Sequence, residues 1–127
     1  MNLDSYLQNL SINSETNNGK ANFNLTNKFI GFQGHFPENP ILPGVFEIGF
    51  VCTLAEKVLG FDYKLIRLFK TKFSAMVKPD KTYEIIIEPY KKKSEIQEDD
   101  QNIILKGKIM CLTQQCLDCR LVYARIN

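Results

Sequence analysis

The chain has 127 residues, of which 44% are hydrophobic and 24% charged, and a formal net charge of +2. A chain of this length is expected to fold as one domain around one core, so we predict a single domain over residues 1–127. The small net charge gives no indication of nucleic acid as a partner. The N-terminus lacks a secretory signal, and no apolar run approaches the ~20 residues of a membrane helix. We therefore predict a cytoplasmic protein without a membrane span.

The first elements predicted along the chain are a short helix, a loop and a strand. Residues 4–10 are compatible with a short helix, whereas residues 11–19 are rich in Ser, Asn and Thr and indicate a loop. The apolar residues Ala21, Phe23 and Leu25 then alternate with polar ones. This alternation is typical of a half-buried strand.

One long buried helix is predicted over residues 45–59. Apolar side chains lie nearly all the way round this segment, so protein must surround the helix. Gly60 is suited to cap its C-terminus. The preceding residues 29–44 contain three prolines and three glycines, which predicts irregular structure there.

Three or four long strands are predicted after the helix. Alternating apolar residues indicate strands over residues 69–77 and from Tyr83 onwards, followed by strands over residues 103–112 and 116–126. The charged residues 91–101 are interpreted as a solvated loop, with a docking surface as the alternative. A strand, a buried helix and several antiparallel strands together predict an α+β fold in which the sheet wraps the helix.

The four cysteines are Cys52, Cys111, Cys116 and Cys119. Cys116 and Cys119 have the spacing of half a zinc site, but a second ligand pair is not evident and the single histidine is distant in the sequence. We therefore interpret the cysteines as structural thiols and predict no metal site.

Two segments carry a family resemblance. Residues 34–45, GHFPENPILPGV, resemble the active-site loop of the hot-dog-fold (3R)-hydroxyacyl-[acyl carrier protein] dehydratases of type II fatty acid synthesis, and residues 73–80, FSAMVKPD, resemble a strand and turn of the same family. The resemblance implies one long central helix wrapped by an antiparallel β-sheet. It also implies a substrate carried on the 4'-phosphopantetheine of acyl carrier protein or CoA, without a further cofactor.

Dehydration of a 3-hydroxyacyl thioester requires a base at C2, an acid for the departing hydroxyl and hydrogen-bond donors for the thioester oxygen. His35 suits the base, because imidazole has a pKa near neutrality. Gly44 and Val45 begin the helix, where free backbone N–H groups and the helix dipole can hold an oxygen that gains negative charge. We predict His35 as the catalytic residue and Gly44, Val45 and the motif residue Phe36 as substrate-binding residues.

The acid is missing from its usual position. In the enzymes that the chain resembles, a Glu or Asp lies fourteen positions after the histidine and faces it across a dimer interface; the residue here is Gly49. Glu47 points away from the Gly49 side of a helix, Glu56 lies two turns further on, and both are interpreted as surface or rim charges. Thr53 matches a polar position that is commonly Gln. Gly49 and Thr53 are predicted to contact substrate.

The predicted function is therefore that of a 3-hydroxyacyl-[acyl carrier protein] dehydratase. The alternatives are a subunit whose heterodimeric partner supplies the acid, a non-catalytic acyl binder, and, with less support, a thioesterase. The resemblance and an exposed sheet edge imply a homodimer, or a heterodimer with another hot-dog subunit. A group of basic residues could contact an acidic carrier protein. The alternative interpretation is that these residues form a solvated sheet edge. These are Lys70, Lys72, Lys78, Lys81 and residues 91–93.

Overall fold

The computed structural model describes residues 3–33, 38–90 and 102–126. These residues form one helix and a six-stranded sheet, with two short 3₁₀ turns at Asp4–Tyr6 and Ile30–Phe32. The elements in chain order are β1 (Gln8–Asn13), β2 (Asn18–Asn24), α1 (Gly44–Leu59), β3 (Tyr63–Phe73), β4 (Thr82–Pro89), β5 (Asn102–Cys111) and β6 (Gln114–Arg125). The strand order is β1-β2-β4-β5-β6-β3, and all neighbours are antiparallel. The predicted α+β arrangement is confirmed.

Helix α1 begins and ends close to where the sequence predicts. Pro43 precedes it with φ −60° and ψ 145°, an extended conformation that a proline ring readily adopts. Gly60 follows it with φ +85°, and the Gly60 N–H donates a hydrogen bond to the Glu56 carbonyl oxygen. A positive φ of this kind is the reason that glycine commonly ends helices.

The helix packs closely against the inner face of the sheet. A Cβ atom added to Gly19 on β2 would lie 2.6 Å from Val58 Cγ2, and one added to Gly107 on β5 would overlap Val51 Cγ1. Val51 and Val58 are almost completely buried. The absence of side chains at these two sheet positions therefore lets α1 lie close to the sheet.

The N-terminal prediction is wrong in its elements. Only a single 3₁₀ turn forms within residues 4–10, and β1 occupies Gln8–Asn13, much of which falls in the predicted loop. All six residues of β1 are exposed, so burial imposes no apolar alternation that a sequence pattern could reveal. Asn13 Oδ1 accepts hydrogen bonds from the N–H groups of Glu15 and Thr16, which closes the turn into β2.

Strand β3 lies at one edge of the sheet, and among the described strands it pairs only with β6. It starts six residues before the predicted strand 69–77 and ends four residues before that strand ends. Most of its residues are exposed, including Leu65, Ile66 and Leu68 at 39%, 50% and 37%. The prediction missed its first half because an exposed edge does not enforce alternation. The predicted solvated loop at residues 91–101 lies outside the described residues.

The four cysteines are free thiols, and Cys116 and Cys119 are buried in β6. Burial raises the pKa of the Cys119 thiol to about 12 and also raises the pKa of Cys116. Both thiols therefore stay protonated at neutral pH. In the part of the chain that the structure describes, no group of His, Cys, Asp and Glu side chains is placed to hold a metal ion. That same part contains no helix that is both long and apolar enough to cross a membrane.

Candidate active site

A cleft of about 460 Å³ opens where the N-terminus of α1 meets the end of β3. Two residues from the first turn of the helix, two from the segment that leads into it and four from the end of β3 and the chain beyond line this cleft. They are Gly44, Glu47, Ile41, Leu42, Phe73, Ser74, Ala75 and Met76. The motif at residues 34–45 and the motif at residues 73–80 therefore meet at one place.

Backbone hydrogen bonds fix the two walls of the cleft. The Leu42 N–H donates to the Val77 carbonyl oxygen at 2.8 Å, which joins the segment before the helix to the segment after β3. The Ser74 N–H donates to the Cys116 carbonyl oxygen at 2.9 Å, which ties the same segment to β6. These bonds hold the cleft in shape even though Ala75 to Lys78 form no strand.

The first amides of α1 are available at this cleft. The Phe46 N–H donates to the Pro43 carbonyl oxygen at 3.0 Å, whereas the N–H groups of Gly44 and Val45 have no acceptor among the described residues. The positive end of the helix dipole lies at the same point. Gly44 lines the cleft, and the side chain of Val45 is 64% exposed. The arrangement is suited to binding an oxygen that carries partial negative charge.

Glu47 is not the surface or rim charge that the sequence predicts. Its side chain lines the cleft, the residue is only 3% exposed, and its Oε1 atom has no hydrogen-bond partner among the described residues. Helix rotation directs Glu47 away from the Gly49 side, towards Phe73 at the end of β3 and the residues that follow it. Because these residues cover that side of α1, the carboxyl is buried.

Burial changes the ionisation of Glu47. Desolvation raises its pKa from 4.5 to about 8, since a charged carboxylate loses more hydration than a neutral acid. Tyr83 on β4 and Cys116 on β6 also have raised pKa values, first because of burial and further because of the negative charge of Glu47. The Glu47 carboxyl is therefore mainly protonated at neutral pH.

Gly49 and Thr53 lie apart from this cleft. Thr53 Oγ1 donates a hydrogen bond of 2.7 Å to the Gly49 carbonyl oxygen. Thr53 and Glu56 line a second cleft near the C-terminal end of α1, and Glu56 is exposed as predicted. Thr53 follows Gly44 by nine residues, about 14 Å along a helix that rises 1.5 Å per residue. The described part of one chain thus does not bring Thr53 together with Gly44.

His35 and Phe36 lie outside the described residues, so their predicted roles stay predictions. Of the other predicted positions, the cleft contains Gly44 and adjoins Val45, and it adds Glu47, which sequence reasoning missed. The sequence does contain an indication of this role, because Glu47 lies in the first turn of a helix that is predicted to be surrounded by protein. A charged residue within such a helix is a candidate for a functional group.

A six-stranded antiparallel sheet wrapped around one long helix is the hot-dog fold, and solved structures support this assignment. The dehydratase heterocomplex ApeI:P from Xenorhabdus doucetiae matches with a TM-score of 0.66 at 21% identity, covering 87% of this chain and 89% of that chain. A hypothetical thioesterase from Streptococcus pneumoniae, solved with coenzyme A, matches with a TM-score of 0.65 at 10% identity, covering 85% and 77%. The predicted fold class is confirmed.

The sequence identifies the family within that fold. The profile of the ApeI-like family, described as ApeI dehydratase, matches residues 11–108. A 3-hydroxyacyl-[acyl-carrier-protein] dehydratase, FabZ, from Caldicellulosiruptor bescii is 31% identical over 87 residues, which cover 63% of this chain and 62% of that enzyme. The match thus spans less than two thirds of this relative. The chain belongs to the ApeI-like family of hot-dog dehydratases.

Proposed function

We propose that this chain removes water from a 3-hydroxyacyl thioester to give a trans-2-enoyl thioester, in fatty acid or related acyl-chain biosynthesis in the cytoplasm. The observation that carries the proposal is the cleft at the start of α1, where the Gly44 and Val45 N–H groups have no acceptor among the described residues. Membership of a dehydratase family supports the same chemistry.

In the proposed reaction the thioester carbonyl oxygen accepts hydrogen bonds from the Gly44 and Val45 N–H groups. These bonds strengthen as negative charge moves onto that oxygen, which acidifies the proton at C2. His35 takes this proton as the general base. The lining of the cleft is mostly apolar, includes the buried Leu42 and suits an acyl thioester.

The proposed carrier of the acyl group is the 4'-phosphopantetheine arm of acyl carrier protein, with CoA as the alternative, and no other cofactor is required. Lys78 and Lys81 line a smaller cleft that shares Ala75 and Met76 with the first one. Two ammonium groups beside the proposed thioester site suit a phosphate or an acidic carrier protein. Of the other predicted basic residues, Lys70 and Lys72 are exposed on β3, and residues 91–93 lie outside the described residues.

A thioesterase is the weaker alternative. A hydrolase of this type needs an ionised carboxylate to activate water or attack the thioester. Glu47, the carboxyl in the cleft, has a pKa of about 8 and is mainly protonated near pH 7. A neutral carboxylic acid donates a proton better than it accepts one, which favours elimination of water.

The proposal is tested with a 3-hydroxyacyl-[acyl carrier protein] substrate and mass spectrometry of the product. We expect the wild-type protein to form the enoyl product and His35→Ala to lose activity by ~10²-fold or more, the usual contribution of a general base. Equal rates for the two proteins would overturn the assignment of His35. Release of free thiol without enoyl product would indicate a thioesterase, and substrate binding without turnover would indicate an acyl binder.

We also propose that β3 pairs with a second hot-dog subunit. An exposed apolar edge strand is a liability that proteins usually cover or pair, and Ile66 lies half-exposed at an irregularity in the β3–β6 register. We expect Ile66→Arg to shift the assembly to monomers in light scattering after size exclusion, whereas Lys64→Arg on the same strand leaves it unchanged. A wild-type protein that is monomeric alone but pairs with another hot-dog chain would indicate a heterodimer.

A further inference from the structure

The dehydration proposed above lacks an acid for the departing hydroxyl, because Gly49 occupies the position where the resembling enzymes carry a carboxyl. The first cleft contains a carboxyl from another position. Glu47 lies three residues after Gly44, so both belong to the first turn of α1 and line the same cleft. Residues three apart on a helix are neighbours on one face. The free amides and the carboxyl are thus held by one rigid element.

We propose that Glu47 is the catalytic acid of this chain, donating its proton to the C3 hydroxyl while the thioester oxygen is bound at the Gly44 and Val45 amides. This inference rests on the proposed dehydratase function and adds the group that the function lacks. It is carried by two observations. The side chain lines the cleft, and its buried Oε1 atom has no hydrogen-bond partner among the described residues.

The proposed step balances in protons and electrons. His35 removes the proton from C2, the electron pair of that C–H bond forms the C2–C3 double bond, and the C3–O bond breaks. The departing hydroxyl takes the proton of Glu47 and leaves as water. The enzyme then holds an imidazolium and a carboxylate; loss of one proton from His35 to solvent and uptake of one proton by Glu47 restore the starting state.

The other polar groups near α1 are poorer acids for this role. Glu56 is exposed and lines the second cleft with Thr53, near the C-terminal end of the helix. Ser74 lines the first cleft, but an alcohol gives up its proton far less readily than a carboxylic acid. Tyr83 and Cys116 are buried beside Glu47, and burial raises the pKa of each. Glu47 is the one carboxyl among the cleft's described lining residues.

This assignment has a consequence for assembly. If the acid lies on α1 of the same chain as the loop and the amides, a partner subunit is not required to supply a carboxylate. A homodimer of this chain would then have all the groups that the reaction needs. If the acid had to come from the position of Gly49, a homodimer would lack it.

The test compares Glu47→Gln with the matched helix variant Glu56→Gln in the full chain. Glutamine has nearly the shape of the protonated acid but has no acidic proton to donate, so the fold should persist and circular dichroism checks it. We expect Glu47→Gln to lower kcat by ~10²–10⁴-fold with little change in KM, and Glu56→Gln to match the wild type. Wild-type kcat should fall as pH rises through about 8, when Glu47 loses its proton.

The outcomes separate this inference from the function on which it rests. Full activity of Glu47→Gln, with His35→Ala inactive, would overturn the acid assignment and leave the dehydratase function standing. Absence of enoyl product from the wild type would overturn both. If Glu47→Gln fails to fold, the wild-type pH profile decides: a falling limb near the Glu47 pKa supports the acid, and a rate that stays flat through it overturns it.

Discussion

Glu47→Leu is expected to stabilise the folded protein by an amount that grows with pH. The carboxyl has a pKa of 4.5 in the unfolded chain and about 8 in the folded one, so the folded state binds more protons between these values. Wild-type stability therefore falls as pH rises from 4.5 to about 8 and stays at the lower level above it. Leucine has no proton to lose, and its side chain suits the apolar walls of the cleft.

The size of the gain follows from the shift in pKa. Each unit corresponds to about 1.4 kcal/mol, so the shift of Glu47 sets an upper bound of about 5 kcal/mol above the folded pKa, and relaxation of the cleft lowers it. Denaturant unfolding measured across this pH range gives the difference in free energy of unfolding between Glu47→Leu and wild type. Glu56→Leu, at an exposed position, should show a difference that does not change with pH. If the difference in free energy of unfolding between Glu47→Leu and wild type also did not change with pH, the burial of an unpaired carboxyl would be contradicted.

Phe50→Ala is expected to lower the free energy of unfolding by ~3–5 kcal/mol, the usual cost of deleting a buried aromatic ring. Phe50 is 0% exposed, and its ring stacks on that of Phe23 with centroids 4.2 Å apart and planes 5° apart. The rings of Tyr6 and Phe29 also pack against Phe50, with centroid distances of 6.4 and 6.3 Å. The cluster therefore joins α1 to β2, to the N-terminal 3₁₀ turn and to the segment that contains Phe29.

Phe61→Ala provides the matched control, because Phe61 is 100% exposed just beyond the end of α1. The same chemical change there should alter the free energy of unfolding by less than ~0.5 kcal/mol. Thermal and denaturant unfolding of both variants measure the contrast. Similar losses for the two variants would contradict the placement of Phe50 at the centre of the core.

Much of the fold could be predicted from the sequence because burial leaves a pattern. The predicted helix is correct to within one residue at its start, and the alternating side chains of β4, Tyr83, Ile85 and Ile87, are all buried. Strand β1 and the first half of β3 left no such pattern, since both lie at sheet edges and face solvent. Amphipathic periodicity reports contact with the core, so it does not detect an edge strand.

The part of the candidate site that depends on local sequence could be predicted, whereas the part that depends on distant residues could not. The place of Gly44 and Val45 at the start of α1 could be predicted because a proline before a helix identifies its first amides from local sequence alone. The prediction that Glu47 is a surface or rim charge was wrong because its burial depends on Ser74 and the residues beside it, which are distant in the sequence. A helix-rotation argument gives the direction of a side chain relative to its own helix. It does not indicate which other segment lies in that direction.

The contact between Gly44 and Phe73 has a consequence for sequence variation. Gly44 has ordinary helical geometry rather than a positive φ, so its backbone does not require glycine. A Cβ atom there would instead lie 2.7 Å from Phe73 Cζ. Alanine at position 44 therefore requires either a shift of the Phe73 ring, which is 49% exposed, or a smaller residue at position 73. In related chains, a larger residue at the helix start should accompany a smaller one at the end of β3, because both positions line the mouth of the same cleft.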